Sequence, residues 1–213
     1  MRFRSLIVGL AVNFGILASS ATAFAEAQIT LVGFGDSLMA AYNLQADEGV
    51  PARLQAELNA RGHAVEIIDA GVSGDTTSGG LARLDWSIPD GVDGVILELG
   101  ANDALRGLPP AKTRENLEAM IARLQQRGIA ILLAGMLAPP NMGAEYETAF
   151  NAIYPDLAAK YDLALYPFFL DGVTGNADLL LGDGMHPNAN GINEMVERIL
   201  PVAEQFLASI KVE

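Results

Sequence analysis

Five short apolar runs, separated by stretches with helical periodicity, constrain the fold of this 213-residue chain more than any other feature. Strands that alternate with helices in this way indicate a parallel sheet joined by right-handed crossovers. Unbroken runs, such as the one at 94–97, are typical of strands covered on both faces. We therefore predict one α/β domain, a three-layer α/β/α sandwich with a central five-stranded parallel sheet. The predicted strands are Ile29–Val32, Val65–Ile68, Val92–Leu99, Ile129–Leu133 and Leu163–Tyr166.

The stretches between these runs have the spacing of amphipathic helices. Apolar residues recur every four positions from 50 to 58, and an i, i+3, i+4, i+7 stripe runs from 117 to 124. A glycine follows each stretch, which is typical of a helix end. Two further helices are predicted at 144–160 and from about 189 onward, and Pro201 should kink or break the last one.

The first 25 residues predict a cleaved secretory signal. Two arginines give a basic start, residues 6–17 are mostly apolar, and Ala23-Phe24-Ala25 is a small-x-small cleavage site. The alternative is a membrane anchor, but the apolar run is short for a span of about 20 residues. We expect cleavage after Ala25 and a globular domain over 26–213. The protein is then exported, to the periplasm or beyond, without a stable membrane anchor.

Composition excludes several classes of function. The chain has no cysteine, which excludes disulfides, thiol catalysis and thiolate metal sites. Its two histidines are far apart and complete no recognisable ligand set, so no metal or other cofactor is expected. The formal net charge of -13 repels nucleic acid and anionic membranes. We expect a monomer that acts on a small-molecule or lipid substrate.

The segments after the predicted strands are the candidate site, because ligands of open α/β sheets bind beyond the carboxyl ends of the strands. These segments are GDSL, GVSGDTT, GAND, MLAPPN and, further on, GDGMHPN. Four of the five are rich in glycine and small polar residues. Helix capping explains part of this composition, but it does not explain a histidine.

His186 is the candidate base and Ser37 the candidate nucleophile. Asp183 can accept a hydrogen bond from Nδ1–H of His186, which leaves Nε2 free to take the proton of a serine hydroxyl. We also predict that Ser37 opens a helix, whose free N–H groups favour developing negative charge. The alternatives are a helix-capping serine and an exposed loop histidine. His63, at the opposite edge of the sheet, is interpreted as a surface residue.

Acyl transfer also needs hydrogen-bond donors for an oxyanion. Gly74 can present a backbone N–H without a side chain in the way, and Asn102 can present a side-chain amide. Losing one such donor typically costs about 3 to 4 kcal/mol of barrier. The alternative for both residues is an ordinary turn. Asp36, Asp75 and Asp103 are interpreted as structural carboxylates that fix loops by local hydrogen bonds.

These segments resemble, in order, the four conserved blocks of the SGNH, or GDSL, hydrolases. The resemblance covers nearly the whole mature chain. Four longer stretches resemble the branch of exported bacterial thioesterases, lysophospholipases and arylesterases: GVSGDTTSGGLARL, ELGANDALRG, FNAIYPDLA and DGMHPN. One departure is Ala101, where close relatives often have glycine, and its methyl group would narrow the space beside the oxyanion hole. The four blocks are Gly35-Asp36-Ser37-Leu38, Gly74, Gly100-Ala101-Asn102-Asp103 and Asp183-Gly184-Met185-His186-Pro187.

The resemblance implies a flavodoxin-like fold and a cofactor-independent serine esterase that acts on carboxylic esters and thioesters, including aryl esters and lysophospholipids. The implied catalytic residues are Ser37 as nucleophile, His186 as base and Asp183 as its orienter. The implied oxyanion donors are the backbone N–H groups of Ser37 and Gly74 and the amide of Asn102.

The leaving group and the acyl chain are harder to infer. Leu137, Pro139 and Met142 follow the fourth strand and suit an acyl chain, or they are ordinary loop-packing residues. Two alternative functions stay open: a carbohydrate O-acetyl esterase of the same family and an inactive lipid-binding protein of the same fold. The first should have aromatic sugar platforms, yet Trp86 is the chain's single tryptophan. Retention of the implied catalytic residues argues against the second.

Overall fold

The central sheet has five parallel strands in the order β2-β1-β3-β4-β5. The computed structural model describes residues 28–211, so the predicted signal and its cleavage site lie outside the described residues. The predicted five-stranded parallel sheet is confirmed, with each strand close to its predicted position. The strands are β1 Ile29–Gly35, β2 Val65–Gly71, β3 Gly94–Glu98, β4 Ala130–Ala134 and β5 Ala164–Tyr166.

Strand β1 lies inside the sheet, where β2 pairs with it on one side and β3 on the other. Its last five residues are buried, and all five residues of β3 are buried. This burial on both faces explains why the two strands are apolar runs without alternation. Because β1 is an interior strand, the residue that follows its carboxyl end lies between the carboxyl ends of two neighbouring strands.

Seven helices of the described chain cover the two faces of the sheet. Helices α1 and α7 pack against each other, and α4 packs against α2, α5 and α6. The helices are α1 Val50–Ala60, α2 Thr77–Ser87, α3 Ala101–Leu105, α4 Pro110–Gln126, α5 Ala144–Asn151, α6 Ile153–Tyr161 and α7 Ala189–Ser209. Of these helices, none is long and apolar enough to cross a membrane.

The structure departs from two helix predictions at a proline: the helix predicted at 144–160 is divided, and the last helix is not broken at Pro201. The stretch 144–160 is two helices separated at Ala152. Pro155 has no N–H to donate to the carbonyl of Asn151, so the ladder is interrupted there. In contrast, α7 continues through Pro201 without a break. Pro201 is on the exposed side of α7, where water can reach the carbonyl that lacks a donor, and buried residues on both sides of it hold the helix on the core.

Candidate active site

Strand β1 ends at Gly35, and residues 36–44 form turns. Asp36 closes the first turn, because its Oδ1 accepts a hydrogen bond from the backbone N–H of Leu38 at 3.0 Å. Ser37 therefore does not open a helix, and the prediction that it does was wrong. Ala41 and Asn43 have left-handed backbone, with φ of 50° and 56°, which prevents a helix from continuing. The helix-dipole argument for Ser37 does not apply.

The structure brings the side chains of Ser37, His186 and Asp183 together. Ser37 Oγ is 2.9 Å from His186 Nε2, and His186 Nδ1 is 2.7 Å from Asp183 Oδ2. Ser37 Oγ is also 3.5 Å from Asp36 Oδ1, but the shorter distance to Nε2 favours the histidine as the acceptor of the hydroxyl proton. This geometry corresponds to the tautomer with hydrogen on Nδ1.

The loop before α7 positions His186. Asp183 Oδ1 accepts hydrogen bonds from the backbone N–H groups of Met185 at 2.9 Å and of His186 at 3.0 Å. The carbonyl of His186 accepts from Leu181 N–H at 2.7 Å, which closes the loop. The N–H groups of His186 and Met185, and then the imidazole, lower the pKa of Asp183 to about 2. Asp183 is therefore a carboxylate throughout the neutral range.

His63 is far from this group in the fold. It lies between α1 and β2, at the amino edge of the sheet, and its Nε2 is 3.5 Å from Glu204 Oε1. Its side chain is 38% exposed. The structure thus leaves His186 as the histidine at the carboxyl edge.

Asn102 lies in the first turn of α3 and faces the turn that carries Ser37. Its Nδ2 donates a hydrogen bond to Asp36 Oδ2 at 2.9 Å. An amide NH₂ group has two hydrogens, so the second remains for another acceptor. Asp36, which is fully buried, thereby fixes both the Ser37 turn and the Asn102 side chain.

Gly74 lies in the turn between β2 and α2. Its φ of 81° is in the region that favours glycine, and its carbonyl accepts a hydrogen bond from Arg106 Nη2 at 2.7 Å. Within residues 28–211, neither Gly74 N–H nor Ser37 N–H donates to another group of the chain. Both donors are free for a ligand.

Arg83 was not found by sequence reasoning, yet it joins the two strands that carry these turns. Its side chain is 8% exposed and forms an ion pair with Asp75 at 2.6 Å. Nη2 donates to the carbonyl of Gly35 and Nη1 to that of Ala70, each at 2.8 Å. The guanidinium also lies 4.0 Å from the centre of the Phe34 ring. No sequence period distinguishes this arginine from an exposed helical one.

The turn after β1 also packs tightly against the end of β2. A Cβ added at Gly71 would lie 2.8 Å from Ala40 Cα, a distance that real Cβ atoms do not reach. Glycine at 71 therefore lets the Ser37 turn lie directly on β2.

Two buried carboxyl groups lie beneath Ser37. Glu98 is fully buried and its Oε2 accepts from Asp36 N–H at 3.1 Å, while Oε1 has no partner among the described residues. Burial raises the pKa of Asp36 from 3.8 to about 6, and burial together with the Asp36 charge raises that of Glu98 well above its usual value. Asp103, also buried, instead accepts from Thr77 and Thr113 and so joins α3 to α2 and α4.

A small depression opens beside Ser37 and His186. Leu137, Pro139 and Met142 are not among its lining residues, so their predicted contact with an acyl chain stays a prediction. The residues that line it are Ser37, Leu38, Ala41, Tyr42, Leu44, His186, Pro187 and Ile192.

Exposed large apolar side chains concentrate around this edge. The described residues include six exposed large apolar side chains. Five of these lie between one strand and the next or after the last strand, with one side chain after each of the five strands. The sixth, Trp86, lies in α2 and is 76% exposed. The five at the edge, called the apolar rim below, are Tyr42, Val72, Leu105, Leu137 and Met185.

Comparison with known proteins gives this arrangement a context. Residues 34–192 match the model of the GDSL-like Lipase/Acylhydrolase family. The chain belongs to this family. The resemblance inferred from the sequence blocks is thus confirmed. Among the described residues of this family member, no group of three or more His, Cys, Asp or Glu side chains could hold a metal ion.

Relatives of this GDSL-family chain cover most of its length. Esterase TesA of Pseudomonas aeruginosa is 38% identical over 84% of this chain and 89% of its own. An arylesterase of Vibrio mimicus is 38% identical over 78% of this chain and 84% of its own. Thioesterase 1/protease 1/lysophospholipase L1 of Escherichia coli is 37% identical over 77% of this chain and 78% of its own. The crystal structure of AlinE4, an SGNH-hydrolase family esterase, is 46% identical, covers 86% of this chain and 98% of that one, and has a TM-score of 0.72.

Proposed function

We propose that this GDSL-family hydrolase is a serine esterase that cleaves carboxylic esters and thioesters through an acyl-enzyme on Ser37. The observation that carries the proposal is the unbroken line of hydrogen bonds from Asp183 through His186 to Ser37, at 2.7 and 2.9 Å. A serine hydroxyl becomes an effective nucleophile when an oriented base accepts its proton. Asp183, whose pKa is lowered to about 2, stays ionised as that base becomes positively charged.

In the first step, Ser37 Oγ attacks the carbonyl carbon as its proton moves to His186 Nε2. The carbonyl π electrons move to the oxygen, which becomes the oxyanion. Collapse of this intermediate breaks the bond to the leaving alcohol or thiol, which takes the proton from Nε2. In the second step, water loses a proton to Nε2 and attacks the acyl-enzyme, and Ser37 recovers its proton as the acid departs.

The oxyanion needs donors that are already in place. The proposed donors are the N–H groups of Ser37 and Gly74 and the second amide hydrogen of Asn102, none of which the described chain itself uses. Asp36 holds Asn102 from the other side at 2.9 Å, so the amide does not have to reorganise during the reaction. Arg106 and Arg83 hold the Gly74 turn in register with β1.

The apolar rim supports acyl esters as the substrate class. Apolar side chains after all five strands offer surface to an alkyl or aryl group that enters the edge. The names of the relatives, which include an arylesterase and a lysophospholipase, agree with aryl esters, thioesters and lysophospholipids. The acetylated-sugar alternative is less well supported, because Trp86 lies in the last turn of α2, at the end of that helix away from the turn that follows β2.

The proposal also includes a cellular location and an oligomeric state. The basic start, apolar run and Ala23-Phe24-Ala25 site favour export to the periplasm or the medium after cleavage. We propose a monomer that meets a small-molecule or lipid ester without a stable anchor of its own. Cleavage removes Arg2 and Arg4 and no acidic residue, so the formal net charge changes from -13 to -15, which is consistent with repulsion from nucleic acid.

The test is a chain-length series of p-nitrophenyl esters on the mature protein and on Ser37→Ala. We expect hydrolysis by the wild type, labelling by a fluorophosphonate probe, and loss of both in the variant. A wild type that neither hydrolyses any ester nor reacts with the probe would contradict the proposal. Preference for acetyl esters together with acetate release from acetylated sugars would instead favour the carbohydrate esterase.

A further inference from the structure

Tyr42 lies against the flat face of the His186 imidazole, a contact that the reaction steps above do not use. The two ring centroids are 4.3 Å apart and the planes are inclined by 33°. The nitrogens of the imidazole are already engaged by Asp183 and Ser37. Because ring nitrogens form hydrogen bonds near the ring plane, these two bonds hold the edge of the ring and not its faces. Tyr42 covers one face.

The backbone on both sides of Tyr42 is in the left-handed region. Ala41 has φ of 50° and Asn43 has φ of 56°, and among the described non-glycine residues only Asp162 shares this conformation. Asparagine adopts it readily, whereas the Cβ of alanine crowds the following carbonyl. Such conformations persist where the surrounding structure fixes them, and they are frequent at functional sites. Two of the three therefore flank the side chain that stacks on His186.

The contacts that fix this conformation can be named. Ala41 is buried, and a Cβ at Gly49 would lie 2.7 Å from its methyl group, so glycine there leaves the space that Ala41 fills. Leu44 N–H donates a hydrogen bond to the carbonyl of Ala41 at 2.9 Å. Tyr42 N–H donates a longer one to the carbonyl of Ser37 at 3.4 Å. The turn that carries the nucleophile thus also sets the place of Tyr42.

We propose that Tyr42 is a positioning residue for His186. Its ring keeps the imidazole on the line between Asp183 and Ser37, and its π face stabilises the imidazolium that forms when Nε2 accepts the Ser37 proton. This inference rests on the proposed function, since it requires His186 to be the base. The phenol oxygen has no part in it, so the ring and not the hydroxyl should matter.

A competing role for Tyr42 is direct contact with substrate, because it also lines the depression beside Ser37. The two roles differ in the kinetic constant that they affect. A wall of the binding site acts on KM when it binds substrate and transition state equally, whereas support of the imidazolium acts on kcat.

The kinetic test compares Tyr42→Ala, Tyr42→Leu and Tyr42→Phe on p-nitrophenyl butyrate. We expect alanine and leucine to lower kcat roughly tenfold with KM within about twofold, and phenylalanine to keep at least about half of kcat. Trp86→Ala, which removes an exposed aromatic ring from α2, is the matched control and should leave both constants unchanged. Thermal melting of every variant checks that the fold is intact.

A second readout does not depend on activity. The sequence has two histidines, so proton NMR shows two imidazoles, and His63→Gln assigns them. Stacking on Tyr42 should displace the His186 ring protons upfield in the wild type and in Tyr42→Phe. In Tyr42→Ala these protons should return downfield while those of His63 stay in place.

Three results would overturn the proposal: a raised KM with unchanged kcat in Tyr42→Ala, an equal loss of kcat in Tyr42→Phe, or unchanged kinetics in all three variants. Failure of the proposed function looks different. In that case the wild type neither hydrolyses the ester nor reacts with the fluorophosphonate probe, whatever residue stands at 42, while the upfield signal of His186 persists.

Discussion

Asp36→Asn should remove a pH-dependent part of the free energy of unfolding. Asp36 is fully buried, and burial raises its pKa from 3.8 to about 6 despite hydrogen bonds from Leu38 and Asn102 that act in the opposite direction. Because this pKa is higher in the folded state, the folded protein binds more protons than the unfolded chain between these values. The contribution to stability is complete below pH 3.8 and is lost as the pH rises through 6.

The structure sets the magnitude. A pKa rise from 3.8 to about 6 corresponds to about 3 kcal/mol in favour of the protonated form. Between pH 8 and pH 5 the linkage relation gives roughly 1 kcal/mol of added stability, since at pH 5 the folded group is mostly protonated and the unfolded one is not. Asp183 does not interfere, because its pKa of about 2 means that its stabilisation is lost only as the pH falls below 3.8.

The assay is urea unfolding of wild type and Asp36→Asn at pH 5, 6, 7 and 8. We expect the wild type to gain roughly 1 kcal/mol towards pH 5 relative to the variant. The Asp36 charge also raises the pKa of Glu98, so the same comparison is repeated in a Glu98→Gln background to isolate the contribution of Asp36. Parallel stability profiles for wild type and Asp36→Asn, within about 0.5 kcal/mol, would refute the reasoning that burial dominates the energetics of Asp36.

Three shorter predictions concern the site and its support. His186→Ala should lower kcat about 10⁴-fold or more, whereas His63→Ala should keep nearly full activity; an equal loss in both would mean that the base is wrongly assigned. Asn102→Ala should lower kcat about 10² to 10³-fold with little change in KM, and a change confined to KM would exclude it as an oxyanion donor. Gly71→Ala should lower the free energy of unfolding by about 1 to 3 kcal/mol and reduce kcat as well, because the new methyl group meets the backbone at Ala40. A melting temperature equal to that of the wild type would contradict this prediction and show that the Ser37 turn can move to accommodate the methyl group.

The strands and the ends of α1 and α4 could be predicted because their signals are local. The apolar stretch of β3 needs cover on both faces, and α4 begins at Pro110 and is followed by Gly128, where the backbone takes φ of 73°. The helix at 144–160 was predicted as one piece because its apolar spacing continues across Ala152. Pro155, inside that stretch, carried the contrary signal.

The candidate site was predicted as a set of residues, with Asp36, Asp75 and Asp103 as structural carboxylates. The roles of Arg83 and Tyr42 and the turn at 36–44 were not predicted. Ser37 follows a strand in a segment that suits a helix cap, so the turn at 36–44 was mistaken for a helix start. Ala41 does not indicate a left-handed backbone in the sequence, because alanine rarely adopts one, and the room that Gly49 leaves for its methyl group is a tertiary feature. Arg83 and Tyr42 act through tertiary contacts with distant segments, and a single sequence without an alignment contains no period that marks them.

Ser37 and His186 are 149 positions apart, and α7, which follows His186, packs against α1. During synthesis the serine therefore leaves the ribosome long before its base exists. Any nascent chain shorter than 186 residues carries an ordinary alcohol at this position, so the proposed hydrolase is harmless to cellular esters until nearly the whole fold has been made. Because activity needs both residues, the rate at which esterase activity appears in a refolding experiment would report the docking of the loop that carries His186 and of α7, and not the formation of local structure around Ser37.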